Sequence, residues 1–182
     1  MDIVSLIARL KRGEQPAYKE LVFAFSSRLM TTARIYAVSE EEAKDVLQEA
    51  FILVFRKIKD FEGSHEAAFY SWMKRLVINL SLSRNQKKYR SMEKSLDTIL
   101  MNQHKVEARA ISNLTHEEIM QMVFKLPDGY RQVFALYAIE GYSHKEIAEK
   151  LSIGVSSSRS QYSRARKMLQ NSFQKLFTSM IA

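Results

Sequence analysis

Tyr142–Leu169 reads YSHKEIAEKLSIGVSSSRSQYSRARKML, and its two halves differ in kind. Ser143 with Glu146 three positions on has capping-box spacing, so a short helix opens there and runs through HKEIAEKL. The segment SIG turns the chain, with Gly154 suited to the N-cap of the next helix. Two short helices joined by a tight glycine-containing turn make a helix-turn-helix. Ile147, Ala148, Leu151, Ile153 and Val155 are the apolar cluster expected to fix their crossing, and Met168 and Leu169 are expected to pack inward. The second helix is unusual: SSSRSQYSRAR, Ser156 to Arg166, holds three arginines and five serines but no acid. Its N-terminal end, where a recognition helix meets base edges, carries Ser156, Ser157 and Arg159. An arginine bonds guanine bidentately and serine hydroxyls bond bases or phosphates. Arg164 and Lys167 lie close to the line of Ser160 and Ser163, placed to grip a sugar-phosphate backbone. The bland alternative is a basic helix that is merely solvated.

Working outward, Thr115 with Glu118 has the same capping-box spacing and opens IMQMVFKL; LPDG stops it, and YRQVFALYAIE comes next, closed by Gly141. Before Thr115 the periodicity fades. Residues 91–114 read as a linker, able to span up to about 80 Å when extended.

The N-terminal part is a second set of helices. DIVSLIARLKR places Ile3, Leu6, Ile7 and Leu10 on one stripe, and Pro16 opens the long helix after it. VSEEEAKDVLQEAFILVFRKI has Ser39 as N-cap with Glu42 three on, and a core face of Val46, Leu47, Ala50, Phe51, Val54, Phe55 and Ile58. Its other face gathers Glu41, Glu42, Asp45, Gln48 and Glu49, which suits either a solvated face favoured by the helix dipole or a docking surface. DFEGSHEAAF is a loop leading into FYSWMKRLVINLSLSRNQKKYR. On a helical wheel Phe69, Trp72, Met73, Leu76 and Leu80 share the core arc, while Ser71, Lys74, Arg75, Ile78 and Asn79 share the outer one. RNQKKYR then sets four positive charges in seven residues.

The totals agree with an all-α chain of two small helical domains, 1–90 and 115–182, joined by the 91–114 linker. Of 182 residues only 5 are Gly and 2 Pro, and the net charge of +8 favours a polyanionic partner. There is no cysteine, and His65, His104, His116 and His144 lack ligand spacing, so no metal site or cofactor is expected. With no nucleophile elbow, glycine-rich phosphate loop or carboxylate cluster, an enzyme is not expected either. No apolar run is long enough to span a bilayer, and nothing resembles an export signal, so the expected compartment is the cytoplasm.

In order, DVLQEAFILVF, FYSWMKRLVINL, a linker and LPDGYRQVFALYAIEGYSHKEIAEKLSIGVSSSRSQYSRARKML resemble the extracytoplasmic-function (ECF) class of bacterial RNA polymerase sigma factors over almost the whole chain. The resemblance implies a sigma region 2 followed by a sigma region 4. It implies that Asp45, Gln48 and Glu49 match the D-x-x-Q-E segment that docks on the clamp helices of the largest polymerase subunit. Phe61 and the loop 62–68 match the element that captures a flipped non-template base of the minus-ten promoter element, and Asn79 an asparagine near that pocket. Lys74, Arg75, Arg84, Lys87 and Lys88 are then the expected phosphate contacts there. Arg159, Ser160, Ser163 and Arg164 match the face that reads the minus-thirty-five duplex. The family's small-Gly-Thr-Val lead-in to that helix is replaced by Val155, Ser156, Ser157 and Ser158, and the loop before Phe69 is two residues longer than in familiar members. The implied partners are core RNA polymerase, including the flap of its second subunit, promoter DNA as duplex and single strand, and an anti-sigma factor, for a chain monomeric when free. The competing reading is a stand-alone helix-turn-helix regulator, which leaves the acidic face without a use.

Overall fold

The computed structural model describes the backbone of residues 2–92 and 115–181, with side chains for 2–85, 115 and 117–176. The linker expected at 91–114 lies almost wholly outside them, as do the side chains of Lys87 and Lys88. The described residues form helices and no strand, and the chain divides into two compact units, Met1–Lys87 and Lys88–Ala182.

The first unit is built from α1 (Ile3–Lys11), α2 (Gln15–Tyr36), α3 (Glu40–Lys57), a 3-10 turn (Ile58–Asp60) and α4 (Glu66–Met92) up to Lys87. Asp2 caps α1 by accepting from the Val4 N–H at 3.1 Å. Ser39 caps α3, its Oγ accepting from the Glu42 N–H at 3.1 Å, while Glu42 reaches back one residue farther than a capping box requires, to the Val38 N–H at 2.9 Å. Leu6, Leu10, Leu21, Phe25, Leu29, Phe69 and Met73 are fully buried together, each contributing about 1.5–3 kcal/mol by leaving water.

The core meridian of α4 differs from the wheel. Ile78 is buried, whereas Trp72, Leu76 and Leu80 are only half-buried. The buried line runs Phe69, Met73, Val77, Ser81, Asn85, and its last two members are polar. Asn85 donates from Nδ2 to the Tyr36 carbonyl at 2.7 Å, satisfying the C-terminal end of α2, and Ser81 donates to the Val77 carbonyl at 3.0 Å. A wheel drawn from hydropathy ignores such residues and so rotates the face by one position. The loop is also shorter than expected, because α4 begins at Glu66 and takes in Ala67 and Ala68.

The second unit holds α5 (His116–Phe124), α6 (Asp128–Phe134), a π turn (Ala135–Ile139), α7 (His144–Leu151) and α8 (Val155–Ile181). The capping boxes at Thr115–Glu118 and Ser143–Glu146 both form in full. Arg131, buried within α6, donates to the Leu126 carbonyl at 3.1 Å and pairs with Asp128 at 2.7 Å, closing the C-terminal end of α5. Between α7 and α8 the left-handed residue is Ser152, at φ 55, and Gly154 stands as the residue before α8, its carbonyl bonded by the Ser158 N–H at 3.0 Å. Ala165, fully buried, brings α8 close against the Met122, Val123 and Leu126 cluster. Ile147, Ala148 and Leu151 are buried as the sequence suggests, but Ile153 is half-buried and Val155 and Met168 are exposed, so the cluster is smaller than expected. Leu169 does pack inward.

Candidate functional site

On α3 the residues that miss the core are acidic. Val46, Leu47 and Ala50 turn inward, which leaves Asp45 and Gln48 exposed and Glu49 half-buried along one flank. The flank is not bare: Arg84 of α4 donates to Glu49 Oε2 at 2.7 Å and lies 3.6 Å from Asp45 Oδ2. Arg84, expected at a DNA phosphate, is thus engaged with the acids expected to meet the polymerase. At the start of the helix Arg34 forks onto Glu40 at 2.7 and 2.9 Å, and this hydrogen bonding holds the Glu40 carboxyl below its usual range.

Phe61 is a core residue. Its ring lies 5.1 Å from that of Phe69 and 5.2 Å from that of Trp72, and its carbonyl accepts from Lys11 Nζ at 2.6 Å. Gly63 folds back over this ring so closely that a Cβ there would overlap Phe61 Cζ. The residue matched to base capture is therefore already packed against two tilted rings, and the loop is pressed onto it. Along α4, Arg75 and Asn79 are exposed and Lys74 is half-buried. Sequence reasoning missed Arg28, whose guanidinium carbon sits 4.0 Å from the Tyr70 ring centroid while Nη1 pairs with Glu66 at 2.8 Å. It comes from α2, and no spacing along the chain connects it to the loop.

On α8, Ser156, Ser157, Arg159, Ser160 and Ser163 are exposed, as a reading face requires. Arg164 is half-buried and donates to the Tyr130 hydroxyl at 3.3 Å; Lys167 is half-buried with its ammonium nitrogen shielded from solvent. These two are placed less openly than Arg159. Ser158, between the exposed serines, is fully buried and lies 2.9 Å from Nδ1 of His144. His144 is stacked on Tyr137 at 4.4 Å, with Tyr162 at 5.8 Å edge-on, and burial, then the charge of Arg159, push its pKa down. Serine-rich spacing gave no sign of this contact, because a hydroxyl reads as polar wherever it stands.

The arrangement is an acidic flank on one helix, a basic face beside the Phe61 loop on another, and a helix-turn-helix whose second helix is basic. Among the described residues no cluster of His, Asp or Glu fits a metal ion, and no helix is long and apolar enough to cross a membrane.

The comparisons with known proteins fall on the same segments. The family model for sigma-70 region 2 matches residues 21–91, and that for sigma-70, region 4 matches residues 108–169. The ECF RNA polymerase sigma-E factor of Escherichia coli (strain K12) is 30% identical over 183 residues, covering 94% of each chain. The ECF RNA polymerase sigma-E factor of Haemophilus influenzae is 27% identical over 188 residues, covering 94% of this chain and 95% of that one. The structure of CnrH in complex with the cytosolic domain of CnrY is similar in fold, with a TM-score of 0.50 at 23% identity over 96% of this chain and 99% of that one. Region 2 and region 4 thus stand in order along the chain: it belongs to the ECF class of RNA polymerase sigma factors, a family of non-enzymatic transcription initiation factors.

Proposed function

We propose that this sigma factor divides its work among three surfaces. In the 1–90 domain Asp45, Gln48 and Glu49 dock on the clamp helices of core RNA polymerase. The face of α4 with Lys74, Arg75 and Asn79, together with Arg84, Lys87, Lys88 and the loop over Phe61, handles the minus-ten strand. In the 115–182 domain Ser156, Ser157, Arg159, Ser160 and Ser163 read the minus-thirty-five duplex, with Arg164 and Lys167 toward its backbone. The observation that carries this reading is the segregation of charge: the exposed acids of α3 lie on a different helix from the exposed Arg75, and the start of α8 exposes serines and Arg159 with no acid. Acids attract a basic protein surface and repel phosphate, which favours separate faces for the two ligands, with Arg84 at their border. A restraining anti-sigma protein belongs to this reading, as does a cytoplasmic location beside the polymerase; the solved relative CnrH is in complex with the cytosolic domain of CnrY. A stand-alone helix-turn-helix regulator is not favoured, since it has no use for a sigma region 2.

The test is run-off transcription from fragmented host DNA with core polymerase, with and without the chain, mapping RNA 5′ ends. Discrete new starts sharing two upstream motifs are expected; none, from folded protein, overturns the reading. Asp45→Lys with Glu49→Lys is expected to abolish polymerase binding while leaving the far-ultraviolet circular dichroism unchanged.

A further inference from the structure

Arg84 stands where two of these surfaces meet. Its guanidinium spans from Glu49, 35 positions back at 2.7 Å, to Asp45 at 3.6 Å, and all three side chains are partly open to water, at 36%, 44% and 66% exposure. Two carboxylates and one guanidinium leave a single net negative charge where the docking face would otherwise carry two. A basic surface approaching Glu49 therefore meets an acid already paired with a cation of the same chain. That cation is a planar fork, the geometry that suits carboxylate and phosphate equally.

We propose that Arg84 is an exchangeable counter-ion: it covers Asp45 and Glu49 in the free factor, is displaced when core polymerase takes those acids, and then pairs with a phosphate of the opened strand. This rests on the docking role of Asp45 and Glu49 proposed above. The exchange makes polymerase docking and strand binding mutually reinforcing, because each removes a competitor of the other, and the coupling is reciprocal. It is energetically light, since an exposed ion pair is a weak lock, and so the free chain keeps a partly masked surface without being closed to its partner.

The test uses the full chain and two measurements. Affinity for core polymerase without DNA is compared for wild type, Arg84→Gln and the double variant Asp45→Asn with Glu49→Gln. Binding of a single-stranded oligo(dT) to the free chain and to the holoenzyme is then followed against salt. Arg84→Gln is expected to bind core about two- to five-fold tighter, the scale of one exposed pair. It is expected to reduce the salt slope of oligo(dT) binding by about 0.7 in the holoenzyme, one phosphate contact, and to leave the free chain's slope unchanged. Equal or weaker core binding by Arg84→Gln, with thermal melting unaltered, would mean that Arg84 props the acids rather than masks them and overturns the proposal. An unchanged holoenzyme slope overturns it as well. If Asp45→Asn with Glu49→Gln leaves core binding intact, the docking assignment itself falls, a failure distinct from either of these.

Discussion

His144, the first residue of α7, meets the fully buried hydroxyl of Ser158 in α8 at 2.9 Å through Nδ1. The contact joins the two helices of the DNA-reading motif on the side away from the exposed serines. Tyr137 covers the imidazole at 4.4 Å and also touches Tyr162 at 4.4 Å, so ring packing surrounds a single hydrogen bond.

Ser158→Ala removes that bond and leaves His144 without its partner. A loss of about 1–2 kcal/mol is expected. Duplex affinity at the minus-thirty-five element is expected to fall with it, since Arg159 is the next residue. Thermal melting and a promoter-binding titration check both statements.

Acid is expected to weaken this domain. Burial and Arg159 hold His144 below its ordinary 6.5, so the unfolded chain takes up the proton first as pH falls. Stability drops as pH falls through 6.5, and the loss levels off once pH is below the folded value. Glu146, held below 4.5 by hydrogen bonds from Ser143, contributes stability that begins to be lost only under 4.5, so the loss set by His144 begins first as pH falls. Melting curves of wild type and His144→Phe between pH 7.5 and 5 should converge in shape only if another group is responsible.

Gly63→Ala is expected to disturb the loop more than its one methyl suggests. The new Cβ would overlap Phe61 Cζ and lie 3.0 Å from both Cε atoms, and the ring cannot retreat because Phe69 and Trp72 flank it. Overpacking of this kind costs about 1–3 kcal/mol. Trp72 is the only tryptophan, so its fluorescence reports the displacement directly, and run-off transcription should fall in parallel.

Arg159→Ala is expected to relax discrimination at one minus-thirty-five position by about 1–3 kcal/mol. A uniform loss across all sequences in a binding selection would instead make Arg159 a phosphate contact.

The caps and turns of this fold are legible in its sequence because they are local. Thr115–Glu118 and Ser143–Glu146 close as spaced, and Gly154 immediately precedes α8. What escaped involves polar groups serving the interior from another helix. Asn85 ends α2 from α4, Ser158 answers His144, and Arg28 stacks on Tyr70 from a helix distant in sequence. Phe61 shows the limit of analogy: a matched position gives a residue's address, and only packing tells whether its ring is free.

The π turn at Ala135–Ile139 has a bearing on how this chain can vary. The Glu140 N–H reaches the Ala135 carbonyl at 3.0 Å, five residues back, and the Tyr142 N–H reaches Leu136 at 2.9 Å. The wider turn ends the helix, since Gly141 follows at φ 77 and α7 begins only at His144. Tyr137 is the central residue of the turn, with its ring centroid 4.4 Å from that of His144. Deleting one residue from the turn would preserve both capping boxes and the net charge, yet would carry the ring off its neighbour. Length at this turn and residue identity at 137, 144 and 158 are therefore expected to vary together among homologous chains.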